Sequence, residues 1–267
     1  MAGERVTWHH GLVARWWAQF NRDGDDISYF QRVIERSGEP ALDLACGSGR
    51  LLVPFLRAGL DVDGCDVSED MLAHCAALAE SGGLDARLER QSMGALDLPR
   101  RYKTVVICGS FGIGGTRADD REALRRGHRH LEPGGTLAFD LYLPNFEKRS
   151  WGAWLPEGRP SLPTAWPEHG DRKQCADGTE LELKKRVLEF DPLDQVVRRE
   201  LRAEHWVDGE LVATEESALS INLYFKSEVL LMLEASGFEE IRVTGGLSDR
   251  DAQPYYDERV VFTATAG

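Results

Sequence analysis

Apolar residues at the start of the chain recur at helical spacing. Trp8, Leu12, Val13, Trp16, Trp17 and Phe20 fall on one face, which predicts an amphipathic helix over 8–20. A second helix is predicted from Asp26, with Ile27, Phe30, Val33 and Ile34 inward and Gly38 as its stop. The pattern then changes. Between Pro40 and Leu143, short apolar runs at 41–45, 61–65, 86–91, 104–108 and 136–142 alternate with helical patterns at 51–58, 69–80 and 119–131. Such alternation is how a parallel sheet wrapped by helices reads in sequence.

From Pro144 to about Gly178 the alternation stops, and a proline-rich segment carries Trp151, Trp154 and Trp166. A long loop with three tryptophans is too aromatic for a disordered linker, so a role at a pocket is expected of it. Strand patterns follow at 180–190, 195–207 and 211–225, separated by "DPLD" and "DG", both good hairpin turns. They predict an inserted antiparallel sheet of about three strands. "SEVLLMLEASGF" restores a helix, and "EEIRVTGG" and "ERVVFTATA" read as two closing strands.

The stretch "ALDLACGSGRLLVPFLRAG", residues 41–59, runs from a strand through a glycine turn into a helix. A dinucleotide fingerprint would need a third small residue where Leu52 stands, and no Gly-Lys-Ser/Thr follows to make a phosphate loop. What remains is Asp43-x-Ala45-x-Gly47-x-Gly49. Glycines allow close backbone approach of a ligand, and a carboxylate at the strand end suits a cationic ammonium group. Asp66 closes the second strand, where an acid is placed to accept ribose hydroxyls. Ser68 caps the next helix, and Met71 lies one turn in.

Composition narrows the partners. The 267 residues carry 45 acidic and 32 basic side chains, a formal charge of −13. That field repels polyanions, so nucleic acid is a poor candidate partner. Five scattered cysteines form no Cys-x-x-Cys pair, so neither a disulfide framework nor a metal site is suggested. The N-terminus lacks the apolar core of a signal peptide, and no run is long enough to span a membrane. A cytoplasmic protein with no membrane partner is the expectation.

Asp43 to Gly49, Asp66 with Met71, Ser92-Met93 before the fourth strand, and "LEPGGTLAFDL" into the fifth together resemble a class I S-adenosylmethionine-dependent methyltransferase. The resemblance covers roughly 40–143 and 227–262. The inserted sheet and two N-terminal helices are similar, in layout, to bacterial small-molecule enzymes such as aminosugar N-methyltransferases. The implied fold is α/β: a Rossmann-like, mostly parallel seven-stranded sheet with an inserted antiparallel β-sheet after strand five. The implied domains are 1–38, helices covering the cofactor cleft; 39–145 with 226–267, the cofactor-binding core; and 146–225, a lid loop and substrate-side sheet.

The same resemblance implies that S-adenosylmethionine is the cofactor. Asp43, Ala45, Gly47 and Gly49 would take its methionine end, and Asp66 and Val67 its ribose. Met71 and Met93 would sandwich the adenine with Ser92 facing its amine, and Cys108 and Ser110 would lie beside the sulfonium. The family often has Asp where Ser92 stands, which implies weaker cofactor binding here. Trp16, Phe111, Trp151 and Trp154 are the candidate acceptor-binding residues. His205, Asp140 and Tyr142 are the candidate catalytic residues, and His9 and His10 are further candidates for a base. The expected reaction is N-methylation of a small amine by in-line displacement. An O-methyltransferase using a His or Asp base, a macromolecular methyltransferase, and a cofactor-binding protein without methyl transfer stay open as alternatives, as does a homodimer.

Overall fold

Every residue of β1 (Ala41–Leu44) is buried, because this strand lies at the centre of a sheet covered on both faces. The structure, a computed structural model, describes residues 7–144, 152–254 and 257–267. β1 is flanked by two parallel strands, β2 (Val62–Asp66) and β4 (Tyr102–Ile107). β3 (Leu88–Arg90) lies outside β2, and β5 (Leu131–Tyr142) outside β4. Two later strands complete the sheet antiparallel, β11 (Arg259–Ala266) beside β5 and β10 (Phe238–Gly245) at the edge. The order is β10-β11-β5-β4-β1-β2-β3, a mostly parallel seven-stranded sheet.

Alternate side chains of these strands feed two cores. Leu42, Leu44, Val105, Ile107 and Phe139 face a layer that includes Leu124 of α5 (Arg117–His130) and Val229 and Leu233 of α6 (Lys226–Ala235). Ala41, Val106, Ala138 and Val261 face the other layer. There Tyr29, Phe30, Val33 and Ile34 of α2 (Asp25–Ser37), Leu52 and Phe55 of α3 (Leu52–Arg57), and Cys75 of α4 (Glu69–Ser81) pack on them.

The second sheet follows β5 in sequence. It has four antiparallel strands in the order β6 (Asp171–Gln174), β7 (Glu180–Asp191), β8 (Val196–Val207) and β9 (Glu210–Asn222). The β8–β9 turn has positive φ at both Asp208 (50°) and Gly209 (82°), the two-residue geometry that matches strand twist. One face of this sheet packs on α1 (Gly11–Phe20), through Leu201, Ala203 and Leu219 against Trp8 and Val13. The other face is a charge ladder in which Lys184 meets Glu204, Arg186 meets Glu200 and Arg202 meets Glu216. Trp166 lies under both Arg186 and Arg202.

Three boundaries depart from the sequence pattern. The first helix begins at Gly11 rather than at Trp8, because His10 caps it in an extended conformation. β5 begins at Leu131, running through Pro133-Gly134-Gly135, which reads as a turn. The inserted sheet has four strands and not about three; β6, with the sequence DRKQ, carries no apolar alternation and pairs only at the edge. Among the described residues no helix is long and apolar enough to cross a membrane.

Phe139 is fully buried and touches Phe262 at 5.2 Å and Phe111 at 5.0 Å between ring centroids. Phe139→Ala should therefore cost about 3–5 kcal/mol of unfolding free energy, measured by urea denaturation. A loss under about 1 kcal/mol would show that this aromatic stack does not hold the sheet to its α5–α6 layer.

Candidate active site

The carboxyl ends of β1, β2, β4 and β5 point to one edge of the sheet, where open α/β folds bind their ligands. The chain leaves β1 at Ala45, whose φ of 68° is unusual for a residue with a side chain. The amides of Ala45 and Cys46 both donate to the Cys65 carbonyl, at 2.7 and 3.0 Å. The turn then passes through Gly47 and Gly49, at φ 56° and 85°. Space as well as conformation requires them. A Cβ on Gly49 would stand 2.7 Å from Cys75 Sγ, and one on Gly47 would stand 3.1 Å from Met71 Cε.

Asp66 ties this turn to the end of β2. Its Oδ2 accepts the Gly47 amide at 2.9 Å and its Oδ1 the Ser68 amide at 2.8 Å. Burial nevertheless pushes its pKa up, the amides of Ser68 and Gly47 opposing the shift. Asp43 is more extreme. It is 1% exposed, and its Oδ2 has no hydrogen-bond partner. Burial pushes its pKa up to about 7, opposed by Arg50 and reinforced by Asp66. A buried carboxylate oxygen without a donor is costly, and Asp43 lines the cleft together with the glycine turn. These features fit the ammonium group of an amino-acid-bearing cofactor.

A second constellation closes the far wall. Arg50, directly after the glycine turn, bonds Asp26 of α2 and reaches Cys108 Sγ at 3.4 Å. Arg259 on β11 donates to Asp140 at 2.8 Å and to Asp26 at 3.2 Å, while Asp140 also accepts the Gly109 amide at 2.7 Å. Burial alone would raise the pKa of Asp26, but the hydrogen bonds and charges of Arg50 and Arg259 hold it below the ordinary carboxylate value. Burial, with Asp140 and Asp26 nearby, pushes the Cys108 thiol far up, so it is no nucleophile.

The cover is the segment ahead of α1. Ser68 Oγ donates to the His9 carbonyl, and the Gly11 amide donates to Asp70 at 2.6 Å. The same segment is held by the inserted sheet, since His10 meets Ser217 at 2.9 Å and the Leu12 amide donates to Glu215 at 2.8 Å. The His9 ring packs edge-on against Trp17. Its Nε2 accepts from the Trp8 indole at 3.2 Å, and its Nδ1 lies 3.2 Å from Thr7 Oγ1. An indole N–H only donates, so the proton sits on Nδ1. Burial, then the charge of His10, brings the His9 pKa down to about 4.

Two cavities share Ala45, Asp66 and Ile113. The larger, about 400 Å³, is lined by Trp8, His9, Trp17, Asp43, Gly47, Met71, Cys108, Ser110, Asp140 and Tyr142, among others. The smaller, about 210 Å³, is lined by Val67, Gln91, Ser92, Met93 and the start of α5. A wider groove of about 870 Å³ lies outside the N-terminal segment, rimmed by Glu69, Asp70, Glu215 and Glu216. Each of those acids already has a partner: Arg90, the Gly11 amide, the Leu12 amide and Arg202. That rim clamps the segment in place.

Most of the residues expected from the sequence meet here, with some redistribution. Met71 lines the larger cavity and Met93 the smaller. Asp140 lines the larger cavity but is engaged by Arg259, and Tyr142 lines it half exposed. Trp16 does not line either cavity: it donates to the Asp171 carbonyl and packs with Cys175 and Leu181, while Trp17, its neighbour, lines the cleft. Phe111 turns into the core between Phe139 and Tyr224. His205 lies 3.4 Å from Arg15 on the inserted sheet, outside both linings. Trp154 packs on Phe190 and Phe225, and Trp151 is outside the described residues. Sequence reasoning missed Asp26, Arg50 and Arg259. Only Arg50 carried a signal, its position directly after the two glycines.

Residues 41–135 match the family model described as "Methyltransferase domain", and the fold is that of a solved S-adenosylmethionine-dependent methyltransferase. The chain is similar to a dTDP-3-amino-3,4,6-trideoxy-α-D-glucopyranose N,N-dimethyltransferase of Streptomyces venezuelae, with 32% identity over 136 residues, 51% of each chain. A putative methyltransferase of Geobacillus is 30% identical over 120 residues, 43% of this chain and 49% of that one. The chain thus spans about half the length of the curated relatives it matches. Among solved structures, a S-adenosylmethionine-dependent methyltransferase from Clostridium acetobutylicum superimposes with a TM-score of 0.72 at 17% identity, covering 96% of this chain and 97% of that one. DesVI of Streptomyces venezuelae gives 0.69 at 22% identity, covering 96% and 97%. At these identities the structures establish the fold.

The Asp43 carboxyl generates a pH prediction. With a folded-state pKa near 7, a proton must leave before an ammonium group meets a charged partner. S-adenosylhomocysteine should therefore bind roughly tenfold more weakly at pH 6 than at pH 8, and Asp43→Asn should bind weakly with no such slope. The sign for stability is opposite. The folded-state pKa lies above the unfolded one, so the contribution of Asp43 to the stability of the ligand-free protein is full below the unfolded value and is lost as pH rises through about 7. Calorimetric titration and denaturation across this range check both. Affinity independent of pH between 6 and 8 would remove Asp43 from the ammonium site.

Proposed function

We propose that this protein transfers a methyl group from S-adenosylmethionine to the nitrogen of a small-molecule amine. The observation that carries the reading is the buried, unpartnered Oδ2 of Asp43 at the mouth of the glycine turn. Asp43 and the Gly47 carbonyl would hold the ammonium end of the cofactor, and Asp66 the ribose. Val67, Ser92 and Met93 would hold the base in the smaller cavity, and Cys108 and Ser110 would stand beside the sulfonium. The cofactor supplies an already activated methyl group. The protein's part is to bring the acceptor into line and exclude water; positioning of this kind is worth roughly 7–11 kcal/mol in favourable cases. Trp8, Trp17 and the His9 ring provide the apolar cover at that end.

The choice of nitrogen over oxygen rests on the scarcity of an unengaged base. A hydroxyl acceptor needs its proton removed, whereas an amine needs only to arrive uncharged. Among the described residues of the larger cavity, Asp43 is assigned to the cofactor's ammonium end, Asp26 and Asp140 are paired with arginines, Asp66 holds two amides, and the His9 lone pair is taken by Trp8. The aminosugar N,N-dimethyltransferase similar to this chain supports the same acceptor atom.

Asp66→Ala should weaken S-adenosylmethionine and S-adenosylhomocysteine by about 1.5–3 kcal/mol, the contribution of hydrogen bonds to a charged acceptor, with the protein still folded but its denaturation midpoint lowered, because the Gly47 and Ser68 amides lose their acceptor. Incubation with trideuteromethyl-labelled cofactor and panels of amines, sugars and phenols, read by mass spectrometry, should label amines. Unchanged affinity in Asp66→Ala would sink the cofactor assignment. Labelling confined to hydroxyls would replace the acceptor atom while keeping the cofactor.

A further inference from the structure

Cross-strand partners stand on one face of a sheet. On the face of the inserted sheet that meets the core, Val187, Arg199 and Leu219 form one row and Phe190, Val197 and Ile221 the next. This face is covered at both ends. α1 and the segment before it cover Leu201 and Ala203, the next positions along β8, and Trp154 covers the Phe190 end. Arg199 stands between the two covers. Ile113, common to both cavities, is bridged to Ile221 and so joins the cleft to this gap.

Arg199 is exposed, yet it makes no hydrogen bond or ion pair among the described residues. Burial by surrounding protein is the one cause acting on its guanidinium and holds its pKa below the ordinary value. Arg199 thus stands in the gap that the two covers leave on this face. Lys185, two residues before Val187 on the same face, is also exposed and unpaired. The opposite face is the contrast, since Lys184, Arg186 and Arg202 each meet a glutamate there. With 45 acidic against 32 basic residues, acids are not in short supply. A guanidinium without a counter-ion is free to pair with an incoming anion.

We infer that Arg199, flanked by Lys185, recognises an oxyanion, phosphate or carboxylate, carried by the amine that the cleft methylates. The planar guanidinium fork suits either oxyanion in a bidentate pair, and the lysine adds a second charge. The acceptor would thus be held by its anionic end on the inserted sheet, with its amine directed past Ile113 toward the cofactor. The identity of the ligand rests on the methyl-transfer reading; the existence of an anion site does not.

The test is calorimetric titration with inorganic pyrophosphate and with succinate at low ionic strength, in the presence of saturating S-adenosylhomocysteine. The expected result is that one of them binds the native protein, about tenfold or more weaker to Arg199→Ala and weaker to Lys185→Ala, with part of the affinity restored in Arg199→Lys. S-adenosylhomocysteine should bind all variants within about twofold of the native protein, which shows that they are folded. Preference for pyrophosphate identifies a phosphate ester, and preference for succinate a carboxylate. Binding of neither, or equal binding to Arg199→Ala, overturns the proposal. Failure of S-adenosylhomocysteine to bind the native protein overturns the cofactor reading instead, and the same titrations without it still decide the anion site.

Discussion

The Asp66 carboxylate fixes the geometry on which the site depends. One oxygen holds the Gly47 amide and the other the Ser68 amide, so the glycine turn after β1 and the start of α4 after β2 are set by a single side chain. The Cys65 carbonyl, taking two amides from the same turn, completes the link. The left-handed conformations at Ala45, Gly47 and Gly49 are thereby over-determined, which is how strained backbone persists in a folded protein. The turn in turn sets Asp43 with one oxygen unpaired. Its isolation is a product of backbone geometry: the nearby amides are already committed elsewhere.

The opposite wall uses charge rather than backbone. Asp26, Arg50, Asp140 and Arg259 come from α2, the glycine turn, β5 and β11, and each contacts at least one oppositely charged partner. Two cations and two anions balance, so the network needs no external ion. It braces the carboxyl ends of distant strands, and it withdraws Asp140 from service as a base. A group at the right edge of the sheet and of the right chemical type can still be a strut.

What was legible in the sequence divides along the same line. The glycine turn could be read because local conformation demands glycine there, and Asp43 and Asp66 because acids stand at the ends of the two strands beside it. The seven-stranded sheet could be read because buried parallel strands are written as apolar runs. β6 could not, since an edge strand of polar residues has no periodicity to detect. Helical spacing placed both Trp16 and Trp17 on the inward side of α1, but it does not say which flank of that stripe meets the cleft and which meets the inserted sheet. His205 stands on β8, whose length carries it past the cleft to Arg15. Arg259 joins Asp26 only through tertiary folding, and no local pattern announces such a pair.

The N-terminal segment makes the two sheets a single functional unit. Residues 9–12 are bonded on one side to Ser68 and Asp70 at the start of α4 and on the other to Glu215 and Ser217 of β9. The roof of the larger cavity therefore cannot lift without breaking contacts to the parallel core, the inserted sheet, or both. Trp8 and Trp17 belong to that roof and also pack on Leu201, Ala203 and Leu219, so the apolar cover of the cleft continues as the core of the inserted sheet. A shift of the inserted sheet would move these rings relative to the glycine turn. The sheet thereby contributes to the enclosure of the cofactor cleft as well as offering its own face to a ligand. That coupling gives a physical reason for an insertion after β5: it supplies, from outside the parallel core, the apolar face on which the rings covering the cleft pack.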